Sequence, residues 1–267
     1  VRSRRQRQMC IRDRYCDEVK ADGFDLVDDF SDLFGMNAAG TDAKMRNTKE
    51  SILEAQFTSG AGNWCTWMFG RDLVNWNNNF TWAKWVTPSR DLISAFKQEG
   101  DEVRFKESIV YYDCNWSNYY PSDNYPFMYK CRSANSSIIK YRYADVLLLK
   151  AEALIMQDTP DLEGAADIID EVRDRAKLGA LPTSVRSNKN VLLNALLKER
   201  RLELAFEGQR WFDLVRLDKV EEVMNAVYAK DSGRKAQIYT FDKNSYRLPI
   251  PQSVIDANDK IHQNPGY

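Results

Sequence analysis

The clearest pattern in the chain begins at Tyr141. Through YADVLLLKAEALIMQ, Val146, Leu147, Lys150 and Leu154 recur at i, i+3/i+4 spacing, which predicts a helix. Thr159-Pro160-Asp161 interrupts it. LEGAADIIDEVRDRAKL then puts Leu162, Ala165, Ile168, Ile169, Val172 and Ala176 along one face, with Gly179 and Pro182 as stops. Tyr141–Leu178 therefore reads as an antiparallel helix pair, close in length to the ~34-residue tetratricopeptide repeat. Ala151, Ala153, Ala165 and Ala166 suit close helix packing, and such a pair needs neighbours to cover its apolar face. Asn190–Glu207, with Leu193, Leu196, Leu197, Leu204 and Phe206, predicts a third long helix ended or bent at Gly208. RWFDLVRLDKVEEVMNAVYAK continues in the same periodicity.

Strand signals are shorter. Thr48–Phe57 reads as a strand or turn, Ser108–Tyr112 as a strand, and Ile238–Phe241 with Tyr246–Leu248 as a hairpin. Pro88–Phe96 and QSVIDAN read as short helices with proline near their first turns. Gly23–Gly100 is otherwise rich in Asn, Gly and Thr and predicts long loops. The expected fold is mainly α: tetratricopeptide-repeat-like helix pairs with long loops and a small β-hairpin.

Composition narrows the chemistry. A single histidine, His262, excludes a zinc site built on several histidines, and five cysteines without CxxC spacing argue against a zinc ribbon. No cofactor or metal is expected. A net charge of −1 gives no global field toward nucleic acid. No stretch reaches the ~18 apolar residues of a membrane helix. Cys114 and Cys131 flank a loop and could close it as a disulfide in an oxidising setting. Residues 1–16, with six arginines against Asp13, differ in composition from the rest of the chain; they read as foreign sequence or a disordered arm, and the domain is taken as 17–267.

Aromatics reach 12%, and their placement matters more than their number. Trp64, Trp67, Trp76, Trp82 and Trp85 fall beside Asn63, Asn75, Asn77, Asn78 and Asn79 on no amphipathic stripe. Flat rings stack on the C–H faces of sugars while amides bond their hydroxyls. Trp116, Tyr119, Tyr120 and Tyr125 form a second such cluster. The candidate glycan-binding residues are Trp64, Trp67, Trp76, Asn77, Asn78, Trp116, Tyr119 and Tyr120; the alternative is that these rings pin long loops to the core. Glu199, Glu203 and Glu207 repeat at i, i+4. Paired carboxylates suggest glycoside hydrolysis. Their crowding by arginines suggests instead an ion-pair lattice of ionised groups, and no catalytic residue is assigned.

Four ordered motifs carry a resemblance. They are Tyr141-Arg142-Tyr143-Ala144-Asp145-Val146 leading to Ala151-Glu152-Ala153; Asp170-Glu171-Val172-Arg173-Asp174-Arg175-Ala176; Glu199, Arg200, Glu203, Leu204, Phe206, Glu207, Gly208, Arg210, Asp213, Leu214 and Arg216; and Pro249-Ile250-Pro251 with Gln263-Asn264-Pro265-Gly266-Tyr267. Together they resemble the C-terminal half of the SusD/RagB family of outer-membrane lipoproteins, most clearly over 135–267. Asp170 departs from the family's usual Asn. Upstream, Gly100-Asp101-Glu102-Val103-Arg104 and Glu50–Phe57 resemble further family segments. The resemblance implies a SusD-like fold and a non-enzymatic protein that binds oligosaccharide or polysaccharide at the cell surface. It further implies hand-over to a SusC-like TonB-dependent transporter, and attachment to the outer membrane only through a lipid anchor. The family's N-terminal half, with signal peptide and lipidated cysteine, is expected to lie outside this chain. A glycoside hydrolase and a protein-binding repeat scaffold are the alternatives.

Overall fold

The computed structural model describes residues 2–58, 62–63, 86–114, 120–230 and 240–267, with side chains from Arg12 onward. Its elements run α1 (Arg2–Ala21), α2 (Ser31–Phe34), β1 (Ser51–Ala55), α3 (Arg90–Glu99), α4 (Glu102–Ser108), β2 (Ile109–Tyr112), β3 (Tyr125–Met128), β4 (Ile138–Arg142), α5 (Tyr143–Met156), α6 (Leu162–Arg175), α7 (Thr183–Arg186), α8 (Lys189–Glu203), α9 (Arg210–Arg216), α10 (Val220–Lys230) and α11 (Gln252–Asp256). The backbone packs as two compact units, Val1–Gly208 and Gln209–Tyr267.

In the first unit the expected hairpin is α5 and α6. Ala151, Ala153, Ala165 and Ala166 are fully buried, so the helices approach without bulky side chains between them. Asp161 caps α6 by accepting from Gly164 N at 2.9 Å, and Lys177 in the left-handed region ends it. Leu192 and Leu196 of α8 close the cluster with Leu148, Ile155 and Ile169, all buried. Each such side chain contributes about 1.5–3 kcal/mol. α1 covers the other side of α5. Cys16 is buried with its Sγ 3.5 Å from Val146 O, and Arg12 pairs with Glu152 at 3.1 Å. Within α1, Cys16 is thus seated against α5, while Arg14 and Tyr15 are exposed.

Two antiparallel ribbons flank the helices. In β2–β3, Ile109 to Tyr112 face Met128 to Tyr125 in regular register. In β1–β4, Leu53 opposes Tyr141 and Glu54 opposes Ile139, so Lys140 is bulged out. The bulge turns Tyr141 to solvent while Ile139 and Arg142 both face inward. Short helices α3 and α4 start at Ser89 and Asp101, whose side chains accept from Leu92 N and Arg104 N at 3.1 Å each.

Three expectations need correction. α8 ends at Glu203, not Glu207, because Phe206 and Gly208 take positive φ (65° and 82°) and the chain turns. The continuous helix expected after Arg210 is two, α9 and α10, broken where Asp218 has φ 55°. Tyr246–Leu248 is not a hairpin strand: Lys243–Tyr246 is a 3-10 turn held by an Asp242–Ser245 capping box, and Ile238 and Tyr239 lie outside the described residues. The small β-hairpin is instead β2–β3. In the second unit the terminal motif forms a clasp. Gln263 bonds both backbone groups of Ile250, at 2.8 and 2.9 Å, and Asn264 donates to Leu248 O at 2.7 Å.

Candidate functional site

The charged motif residues meet in one buried lattice. Glu203, fully buried at the last turn of α8, accepts from Arg142 at 2.5 Å, Arg104 at 3.0 Å and Arg175. Glu199, one turn earlier, takes Arg104 at 2.5 Å and Arg173 at 3.2 Å. The turn after α8 brings Glu207 back to Arg142 (2.7 and 2.9 Å) and Lys130 (2.5 Å). Glu50, beside β1, joins Arg142 at 2.7 Å and Arg175 at 2.5 Å. Asp101 holds Arg104 Nε at 2.5 Å. Phe30 is wedged among the cations, its ring centre 5.0 Å from Arg175, 5.2 Å from Lys130 and 5.9 Å from Arg142. The lattice thus ties α4, α6, α8, one end of the β1–β4 ribbon and the segment before α2 into one body.

The sequence pointed to a lattice without fixing its partners. Arg200 and Arg201, next to the glutamates in the chain, turn away to Asp145 at 2.8 Å and Asp91 at 2.6 Å. The cations that do hold the glutamates come from Arg104, Lys130, Arg142, Arg173 and Arg175. Glu50, Asp101, Arg104 and Arg142 stood in the sequence inside the matched motifs, which was the available signal for them; Lys130 and Phe30 carried none.

Ionisation is not uniform. Burial pushes the Glu203 carboxyl up, but Arg175, Arg142 and Arg104 overcome this and hold it well below the usual carboxylate range. Glu207 is also lowered, Arg142 and Lys130 outweighing burial. For Glu199 and Asp101 burial wins over Arg104 and the pKa rises. Burial drives Lys130 down to about 8 despite Glu207. Glu199 and Glu203 are closed to solvent, 2% and 0% exposed, so a water and a sugar ring cannot reach these two without unfolding the lattice.

Of the aromatic candidates, Trp64, Trp67, Trp76, Asn77, Asn78, Trp116 and Tyr119 lie outside the described residues. Tyr120 is half-buried. Its hydroxyl donates to Pro88 O at 2.7 Å, its ring packs edge-on against Tyr125 at 5.6 Å, and Arg90 covers it at 4.8 Å. Tyr125 is buried, with its hydroxyl 3.0 Å from Thr87 Oγ1. Asn63 is also committed internally: its amide donates to the carbonyls of Ser133, Ala134 and Ser136 at 2.6–3.2 Å. Cys114 packs beside Tyr125 and Phe127, whereas Cys131 Sγ lies 3.4 Å from Asn63 Oδ1, and the two cysteines do not bridge. Among the described residues, no group of three or more His, Cys, Asp or Glu could hold a metal, and no helix is long and apolar enough to cross a membrane.

In this helix-hairpin fold the charged motif residues are spent on ion pairs in the interior. The chain belongs to the SusD family, whose model matches residues 125–267. It is 43% identical over 99 residues to SusD-like protein P38 of Formosa agariphila, covering 35% of this chain and 19% of that protein. It is 36% identical over 143 residues to SusD-like protein P2 of the same organism, covering 51% and 27%. Its fold matches surface glycan-binding protein A from Bacteroides thetaiotaomicron in complex with laminarihexaose, with a TM-score of 0.71, 19% identity, and coverage of 97% of this chain and 61% of that one. The chain therefore matches only part of these relatives' length.

Proposed function

We propose that this chain belongs to a glycan-capture protein of the bacterial outer-membrane surface. It binds oligosaccharide and delivers it to a SusC-like TonB-dependent transporter, without bond chemistry, and is held to the membrane by a lipid anchor. The observation that carries the reading is membership of the SusD family, together with a fold shared with a surface glycan-binding protein solved in complex with laminarihexaose. Closure of Glu199 and Glu203 to solvent speaks against the hydrolase alternative. Sugar contact is assigned to the aromatic, amide-rich stretch Trp64–Trp85, including Trp67, Trp76, Asn77 and Asn78, and then to Trp116, Tyr119 and Tyr120. Tyr120 is also held by its own hydroxyl, which donates to Pro88 O.

Calorimetry on the intact protein, with laminarihexaose and a panel of polysaccharides, tests this. Stacking contributes about 1 kcal/mol per ring beyond area burial, so Trp64→Ala, Trp67→Ala, Trp76→Ala or Trp116→Ala at a contact weakens binding about fivefold. If all four folded variants bind like wild type while folded Glu203→Gln loses binding or a detected cleavage activity, the reading is wrong.

A further inference from the structure

A cavity of about 430 Å³ opens in the first unit. Its size falls in the range of small-molecule sites. Phe34, Met128, Ile138, Ile139 and Phe206 supply apolar walls. Lys130 and Glu207 also line it, but they satisfy each other at 2.5 Å, and Arg142 holds both oxygens of Glu207. Neither offers an open charge. Burial pushes Lys130 down to about 8 even beside Glu207, which marks this side of the cavity as dry.

Lys140 differs. The bulge in β4 sets it out of the β1–β4 pairing, it is exposed, and among the described residues its side chain makes no ion pair or hydrogen bond. It nevertheless lines the same cavity. A sugar ring would lose hydroxyl hydrogen bonds against the apolar walls. An apolar body with one anionic end loses none: the body replaces water on the walls, and the anion meets an open ammonium. We propose that this cavity binds a small amphipathic carboxylate, an aryl or acyl group inside it and the carboxylate on Lys140. The proposal is independent of the glycan reading.

Calorimetry with 3-phenylpropionate, and with 3-phenyl-1-propanol as its uncharged counterpart, tests it on the intact protein. Wild type binds both saturably and the acid more tightly. Lys140→Ala weakens the acid about two- to fivefold and leaves the alcohol unchanged, as expected for an exposed ion pair. Ile138→Trp fills the cavity and abolishes both; Val86→Trp does so from another segment should Ile138→Trp fail to fold. Laminarihexaose titrations stay unchanged in these variants, which separates this proposal from the glycan site. Absence of saturable 3-phenylpropionate binding to millimolar concentration, or wild-type binding by a folded cavity-filling variant, or equal weakening of acid and alcohol by Lys140→Ala, overturns it.

Discussion

Glu203→Gln is the sharpest test of the lattice. The substitution preserves shape and one acceptor oxygen, but it removes a buried negative charge and turns an amide toward Arg104, Arg142 and Arg175. Removing one partner of a buried ion pair costs about 3–5 kcal/mol, because the remaining charge is left uncompensated. Here each arginine keeps another carboxylate: Arg104 keeps Asp101 and Glu199, Arg142 keeps Glu50 and Glu207, and Arg175 keeps Glu50. The cost should therefore lie near the lower end, about 3 kcal/mol. At about 2–4 °C per kcal/mol for a domain of this size, the melting temperature falls by about 6–12 °C. Glu203→Ala adds a cavity and should approach about 5 kcal/mol. Glu163→Gln, removing an exposed partner of Arg186, changes stability by less than about 0.5 kcal/mol. Circular dichroism during thermal and urea unfolding at neutral pH measures all three. A Glu203→Gln protein melting within about 2 °C of wild type would refute a structural role for the lattice.

The same variant should flatten the acid limb of stability: Glu203 and Glu207 lie below the ordinary 4.5 in the fold, so their contribution is full above that pH and is lost as pH falls, with Glu199 and Asp101 acting oppositely. Lys130 gives the alkaline counterpart. Its folded pKa of about 8 lies below the ordinary 10.5, so the unfolded chain binds the extra proton between these values and this residue's contribution to stability rises with pH; urea midpoints of Lys130→Met should lack that rise. Ala165→Leu forces bulk between α5 and α6 and should lower stability by about 1–3 kcal/mol or more in the same assay. Phe30→Ala empties the space among three cations and should cost about 3–5 kcal/mol by urea denaturation.

How much of this was legible depended on the range of the interaction concerned. The α5–α6 hairpin and the start of α8 follow from local spacing, caps and prolines, all of which act within a few residues, and the sequence alone determined them. The family motifs were equally plain, so the class of protein could be read before any geometry. Local reasoning failed at the ends of elements. Glu207 continues the i, i+4 pattern of Glu199 and Glu203, yet Phe206 and Gly208 turn the chain there, and the pull of Arg142 and Lys130 on Glu207 is not written in its neighbours. Tyr246–Leu248 has strand composition, but Asp242 and Ser245 close a capped turn and the terminal amides of Gln263 and Asn264 take the backbone. Arg200 and Arg201 are the glutamates' neighbours in the chain, yet the fold holds the glutamates with residues from 26 to 99 positions away. Only the tertiary structure decided this, because a buried charge is stabilised by whichever opposite charge the packing of distant helices and strands brings within hydrogen-bond reach, and that distance has no counterpart in the linear order of residues.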